Sequence, residues 1–239
     1  MGSQRFIREE ALLGPEAMLR LAGSHVAVFG LGGVGSWAAE ALVRGGIGKL
    51  TLVDFDTVSE SNLNRQLFAL SSTLGRPKAL VAAERAKDIN PEILVTPRVE
   101  RYTAETREAL LSRDYDYLLD AIDIVTSKLD LIQSAHALDI PIVSALGTGN
   151  RLSADGFRIS DISETRDDPL ARVMRKELRK RGILHTAVLW APGNAAKPSD
   201  TGEEPPQGRR SIPGSVSWVP SAAGLALAGF VIRALAGIE

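Results

Sequence analysis

The sequence predicts an α/β fold, a Rossmann-like, mostly parallel sheet with helices on both faces and a C-terminal antiparallel extension. Three observations predict it. Residues 25 to 56 run in the order strand, glycine-rich loop, helix, strand, acidic strand end, which is one mononucleotide-binding unit of such a sheet. Two further apolar runs, Tyr115 to Leu119 and Pro141 to Ala145, supply its fourth and fifth strands. At 239 residues and 44% hydrophobic content the chain can bury one sizeable core, so residues 1–239 are expected to form a single domain. Within it, 1–24 reads as an N-terminal helical segment, 25–146 as a nucleotide-binding core and 147–239 as a substrate-facing extension.

The first strand, His25 to Phe29, runs into Gly30-Leu31-Gly32-Gly33-Val34-Gly35. Gly30 permits the tight turn, Gly32 lets backbone approach a phosphate, and Gly35 lets the helix Ser36 to Arg44 pack on the sheet. Phosphate then meets free N–H groups and the positive end of a helix dipole. The second strand, Lys49 to Val53, ends on Asp54, roughly 20 residues past the loop, where a carboxylate accepts hydrogen bonds from ribose hydroxyls. The unit therefore binds a nucleotide.

Which nucleotide is bound depends on the residues downstream. A glycine loop largely satisfies the two phosphates of a dinucleotide, whereas chemistry on ATP needs added positive charge. After Asp54-Phe55-Asp56 come Asn62-Leu63-Asn64-Arg65-Gln66 and Gly75-Arg76-Pro77-Lys78, so Arg65 and Lys78 lie beyond the carboxyl edge of the first two strands. The fourth strand ends in Asp120-Ala121-Ile122-Asp123, directing carboxylates to the crevice where open parallel sheets bind ligands. One of them suits magnesium.

These motifs, spread over residues 30 to 123, resemble the adenylating core of the ubiquitin-activating-enzyme-like superfamily. The resemblance implies an enzyme that joins a carboxylate to AMP and releases pyrophosphate. It further implies that Asp54, Asn62, Arg65, Gln66, Lys78 and Asp123 contact ATP or its Mg2+. An arginine near the N-terminus crosses a homodimer interface to the neighbour's phosphates; in Arg5-Phe6-Ile7-Arg8-Glu9, Arg8 is favoured for that role over Arg5. The expected site is thus Arg65, Lys78, Asp123 and Arg8 for catalysis, Asp123 for the metal, and Gly30, Gly32, Gly33, Gly35, Asp54, Asp56, Asn62, Arg65, Gln66 and Lys78 for the nucleotide.

Composition narrows the chemistry. The chain has no cysteine, which excludes disulfides, thioesters, persulfides and thiolate metal sites. Many members of the superfamily use a cysteine nucleophile or a Cys-x-x-Cys zinc site. His25, His136 and His185 are scattered and read as structural. A net charge of −1 argues against wholesale coating of nucleic acid and requires any contact to come from a local patch. No basic segment followed by an apolar one opens the chain, so cytoplasm is the expected compartment. The apolar stretch Ser221 to Ala236 contains Arg233 and falls short of the roughly 20 residues of a membrane span; it reads as a buried helix.

The C-terminal half carries Gly147-Thr148-Gly149-Asn150, a strand over Phe157 to Ile162, and Asp167-Asp168-Pro169-Leu170 opening a helix that closes at Gly182. Asp168 suits the N-cap and Pro169 the first helical position. Leu170, Val173, Met174 and Leu178 share one side of this helix, while Arg172, Arg175, Lys176, Arg179 and Lys180 share the other. Such a stripe is either a solvated helix face or a contact for a phosphate backbone. Ala191 to Arg210 shows no hydrophobic period and reads as a mobile loop whose Lys197, Arg209 and Arg210 would help hold bound tRNA or nucleotide.

Together with the absent cysteines, the Asp-Asp-Pro-Leu-Ala-Arg segment with its basic helix and Pro213-Gly214-Ser215-Val216-Ser217-Trp218-Val219-Pro220-Ser221-Ala222-Ala223-Gly224 resemble the tRNA threonylcarbamoyladenosine dehydratase branch of the superfamily. That resemblance implies activation of the threonyl carboxylate on a modified adenosine of tRNA, after which the ureido group of the same side chain closes a ring. A tethered nucleophile gains from proximity and makes a cysteine dispensable. Two alternatives stay open: an adenylyltransferase for the C-terminus of a small sulfur-carrier or ubiquitin-like protein, and an NAD-dependent oxidoreductase or nucleotide-sensing module.

Overall fold

A computed structural model describes residues 4–193, 196–199 and 213–238. Two short helices, Ile7–Leu13 (α1) and Pro15–Gly23 (α2), precede the first unit: His25–Phe29 (β1), Gly35–Arg44 (α3) and Lys49–Val53 (β2). Then come Lys78–Ile89 (α4), Leu94–Arg98 (β3), Arg107–Leu110 (α5), Tyr117–Asp120 (β4), Val125–Ala137 (α6) and Ile142–Ala145 (β5). The C-terminal part adds Arg158–Asp161 (β6), Pro169–Lys180 (α7), Ala187–Trp190 (β7) and Trp218–Ala236 (α8).

The strands form one seven-stranded sheet in the order β3-β2-β1-β4-β5-β7-β6. All neighbours are parallel except the terminal β6–β7 pair, in which Arg158 lies opposite Trp190 and Asp161 opposite Ala187. The expected fold class, with its C-terminal antiparallel extension, is therefore the observed one. Side chains of the central strands are buried on both faces because helices cover both. Val26, Val28, Leu50, Leu52 and Leu119 face a core that includes side chains of α3, α4 and α8. Ala27, Phe29, Val53, Leu118 and Val188 face the other, with α6 and α7. The alternation is the two-residue period of a strand.

The order reverses at β1, whose neighbours are β2 on one side and β4 on the other. An open parallel sheet offers its ligand crevice at the carboxyl ends of the strands flanking such a reversal. The glycine loop, Asp54 and Asp123 all leave the sheet at that edge.

Several expected boundaries shift. The first helix begins at Gly35, not Ser36, and β4 begins at Tyr117, because Tyr115 is held in the preceding turn and meets the His25 ring edge-on at 4.8 Å. The C-terminal helix begins at Trp218, three residues before Ser221, with Pro220 in its first turn, where a missing N–H costs nothing. At 19 residues and a mean hydropathy of 1.7, α8 is the one helix among the described residues long and apolar enough to cross a membrane. It packs instead along α3 and buries Val219, Ala223, Leu227 and Val231; its outward face keeps Leu225 half-exposed. In α7 the buried side is Ala171, Met174 and Leu178, whereas Val173, expected there, is exposed. The ends of α7 form as expected: the Asp168 carboxylate accepts from the Ala171 N–H at 2.9 Å, and Gly182 takes a left-handed φ of 78°. Most of the expected loop from Ala191 to Arg210, including Arg209 and Arg210, lies outside the described residues.

Candidate active site

A cavity of about 480 Å³ opens at the carboxyl edge between β1, β2 and β4. Its lining includes Gly30, Gly32, Asp54, Asp56, Asn62, Arg65, Gln66, Lys78 and Asp123. The sequence-predicted residues thus converge from five separate stretches of chain.

The glycine loop is shaped by close approach. A Cβ on Gly35 would lie 1.8 Å from the Gly30 carbonyl oxygen, and Gly30 turns with φ 88° against the Ala121 backbone. Gly32 faces the cavity, whereas Gly33 packs against Pro220 and the Arg65 stem. Of the four glycines expected at the nucleotide, Gly30 and Gly32 line the cavity, and Gly33 and Gly35 are packed against other parts of the chain.

Asp54 braces that loop from below. Its carboxylate accepts from the Leu31 N–H at 2.6 Å and from the Asp56 N–H at 2.8 Å. Burial pushes its pKa up, while Lys78 and these two donors pull the other way. Both oxygens are thus engaged within the protein, which adds a structural task to the expected ribose contact. Asp54→Asn places an amide where one N–H must be accepted, and leaving a buried donor unsatisfied costs about 1–3 kcal/mol. The expected result is a lowered melting temperature with weakened ATP binding, read by thermal unfolding with and without ATP; unchanged melting would contradict the bracing role.

Lys78, the first residue of α4, is 5% exposed. Its Nζ lies 3.0 Å from Asp56 Oδ2, and its own N–H donates to the Asp56 carbonyl at 3.0 Å. The ammonium is therefore fixed at the cavity wall and cannot swing away as a surface lysine would. Asn62 is buried and folds the turn before Arg65, its Oδ1 accepting from the Ser59 N–H at 3.2 Å. The Arg65 Nη1 donates to the Ser61 carbonyl at 2.7 Å and to Asn64 Oδ1 at 2.9 Å. Burial draws the Arg65 pKa down, so this charge sits partly out of water, where electrostatic interactions gain strength.

The acidic end of β4 divides its labour. Asp123 lines the cavity, but Asp120 does not reach it. Asp120 is fully buried, 2.9 Å from the Lys128 ammonium, and accepts from Ser144 Oγ and the Ile122 N–H. Lys128 also donates to the Ile122 carbonyl at 2.9 Å. The pair holds the turn that presents Asp123, so the crevice receives one carboxylate from β4, not two. Among the described residues no three His, Cys, Asp or Glu side chains gather as a metal site. Magnesium needs less, since one or two carboxylates together with substrate phosphates hold it, and Asp123 fits that donor set.

Phe55, Glu100, Arg101, Tyr102 and Ser127 also line the cavity, and the motifs do not single them out. The Arg101 guanidinium lies 4.9 Å from the centre of the Phe55 ring. Phe55 stands inside the Asp-Phe-Asp motif, while Arg101 lies in an irregular stretch after β3 that carries no pattern. Arg8 is exposed on α1 and Arg5 precedes it; Arg8 does not line the cavity. Arg172, Arg175, Lys176, Arg179 and Lys180 line a separate shallow depression on α7. Two of these charges have other duties: Arg175 donates to the Thr165 carbonyl at 2.6 Å, and Lys180 pairs with Glu177 at 2.7 Å.

The ThiF family profile matches residues 5–238. A tRNA threonylcarbamoyladenosine dehydratase of Bacillus subtilis is 40% identical over 97% of this chain and 94% of its own length. Crystal structures of the Escherichia coli tRNA N6-threonylcarbamoyladenosine dehydratase in complex with AMP and with ATP match with a TM-score of 0.88 at 33% identity, covering 98% of this chain and 94% of that one. The molybdopterin-synthase adenylyltransferase of Escherichia coli is 40% identical over 51% of this chain and 48% of its own. With a profile match across almost its whole length and a relative of this identity, the chain belongs to the ThiF family.

Proposed function

We propose that this protein uses ATP to adenylate the threonyl carboxylate of threonylcarbamoyladenosine in tRNA and so drives its cyclisation, with release of pyrophosphate and AMP. The observation that carries the proposal is the convergence of Gly32, Arg65, Lys78 and Asp123 on one cavity in a chain without cysteine. A carboxylate oxygen attacks the α-phosphorus and the bond to pyrophosphate breaks. The ureido group of the same side chain then attacks the acyl carbon, and AMP leaves. Both reacting groups start out anionic, so the barrier is electrostatic, and preorganised cations lower it. Lys78 and Arg65 supply fixed charge at the cavity, and Arg8 of a second protomer supplies another across a homodimer interface. Asp123 would hold magnesium together with substrate phosphates, and the ion would supply further positive charge there. Asp54 and the glycine loop hold the nucleotide, with Asp56, Asn62 and Gln66 beside it.

Because the nucleophile is tethered to the activated carboxylate, it attacks at the high effective concentration of an intramolecular reaction. An adenylyltransferase for a carrier protein would use the same ATP site. An NAD-dependent oxidoreductase would leave Arg65 and Lys78 without a task. The deciding experiment incubates purified protein with ATP and threonylcarbamoyl-modified tRNA, tracking AMP release and the loss of one water from the modified nucleoside by mass spectrometry. Absence of both products overturns the proposal.

The tRNA contact is assigned to α7, and with it cytoplasmic residence. Arg172, Lys176 and Arg179 are exposed and carry no ion pair among the described residues. Each phosphate neutralised contributes about −0.9 to the logarithmic salt slope on duplex and about −0.7 on single strands. Replacing these three by alanine is expected to weaken tRNA binding and flatten that slope by about 2 to 3, with ATP affinity unchanged. An unaltered slope would return the stripe to an ordinary solvated face.

A further inference from the structure

The segment Pro213–Trp218 is stitched to both halves of the molecule, beside the turn that carries Arg65. On one side, the Asn150 N–H donates to the Gly214 carbonyl at 2.7 Å, and the Gly214 N–H donates back to Asn150 Oδ1 at 2.6 Å. The Trp218 indole N–H donates to the Leu152 carbonyl at 2.9 Å. Pro220, just beyond it, rests against Gly33 of the phosphate loop. On the other side, Asn64 Nδ2 donates to the Ser215 carbonyl at 3.0 Å, while its Oδ1 accepts from the Arg65 guanidinium at 2.9 Å. A single amide thus touches the C-terminal strap with one end and the cavity's arginine with the other.

The geometry points to Asn64 as a positioning residue that couples the strap to Arg65. The inference rests on the adenylation reading and deepens it. An amide is the side chain suited to this post, because it carries a donor and an acceptor on one rigid plane. Movement of the Ser215 backbone turns that plane and moves one of the two acceptors of Arg65 Nη1, leaving the Ser61 carbonyl as the other. An acceptor substrate seated beside the strap therefore sets the guanidinium in the orientation that meets the phosphates, and adenylation waits for the acceptor. Displacing a reacting or stabilising group by about 1 Å costs on the order of 100-fold, so a coupling of this kind has room to act.

Two variants separate the ends of the amide. Asn64→Asp keeps an acceptor for Arg65 and removes the donor to Ser215; Asn64→Ala removes both. With acceptor tRNA saturating, kcat for AMP formation is expected to fall about 10-fold in Asn64→Asp and further in Asn64→Ala, on the scale of a small misplacement. ATP affinity and melting temperature should stay near those of the parent. In the Arg65→Lys background, adding Asn64→Ala should cost almost nothing more, because residues acting through one another are non-additive. Parent-like kcat in both variants, equal losses in ATP affinity and kcat, or fully additive losses with Arg65→Lys would each overturn the inference. If the unsubstituted protein makes no AMP from ATP and modified tRNA, the adenylation reading fails instead, which is a distinguishable result.

Discussion

Replacing Lys78 by methionine is expected to lower the rate of AMP formation on the order of 100-fold or more, the usual loss when one preorganised charge is taken from a site of this kind. That loss equals about 2.7 kcal/mol of transition-state stabilisation at 1.36 kcal/mol per tenfold. Methionine keeps most of the buried stem and removes only the charge. Asp56, left behind with a side chain 49% exposed, is solvated without the ammonium, whereas buried Asp54 loses a favourable charge, so a modest drop in melting temperature is expected. The comparison is made by single-turnover AMP release at saturating ATP and tRNA. A rate within about threefold of the parent would mean that Lys78 holds Asp56 in place and does not serve the phosphates.

Gly35→Ala tests the other half of the site, its backbone. Helix propensity weighs little here, because Gly35 is the first residue of α3 and the preference of about 1 kcal/mol for alanine over glycine applies to helix interiors. Packing decides the sign: the new methyl would stand 1.8 Å from the Gly30 carbonyl oxygen and 2.9 Å from its carbon. Both atoms are backbone, so the strand-to-helix turn must open. Overpacking of this sort costs about 1–3 kcal/mol or more, which for a chain of this size is several degrees of melting temperature. ATP binding should be lost with it, because the displaced turn is the one proposed to offer its N–H groups to phosphate. Gly229→Ala is the control. It lies in the interior of α8, where only the Arg233 side chain approaches, at 3.6 Å, so neutral or raised stability is expected. If the two variants melt alike, the turn is softer than its geometry implies.

Chemistry-bearing motifs were legible because they are local. Gly30 to Gly35 adjoin a strand and open a helix, Asp54 closes the next strand, and Asp168 with Pro169 starts a helix; each relation spans a few residues. The edge strand β3 was not legible. It contains Pro97 and has no fully buried residue, and it is a strand because β2 offers a partner on one side; an edge accepts a proline where a central strand would not. β7 escaped for a related reason. Its short apolar run, Ala187 to Trp190, becomes a strand by lying parallel to β5 and antiparallel to β6.

The carboxylates at the end of β4 show the same limit. Asp120 and Asp123 look equivalent in sequence, yet Lys128, eight residues past Asp120, folds back beneath the sheet and takes Asp120 for itself. Nothing in the spacing distinguishes a lysine that faces solvent from one with 1% of its side chain exposed. Asn64 is a further case, since its second partner, Ser215, is 151 residues away.

From residue order alone came the fold class, the nucleotide loop, the cationic residues beside it and the absence of any thiol chemistry. These depend on backbone periodicity and on side-chain type, both of which are properties of short stretches. Which carboxylate faces the cavity, which glycines touch its wall, and which strap reaches Arg65 were decided by the assembled sheet and its packed helices. Those choices are made by burial and long-range hydrogen bonding, whose energies exist only once distant segments exclude water together.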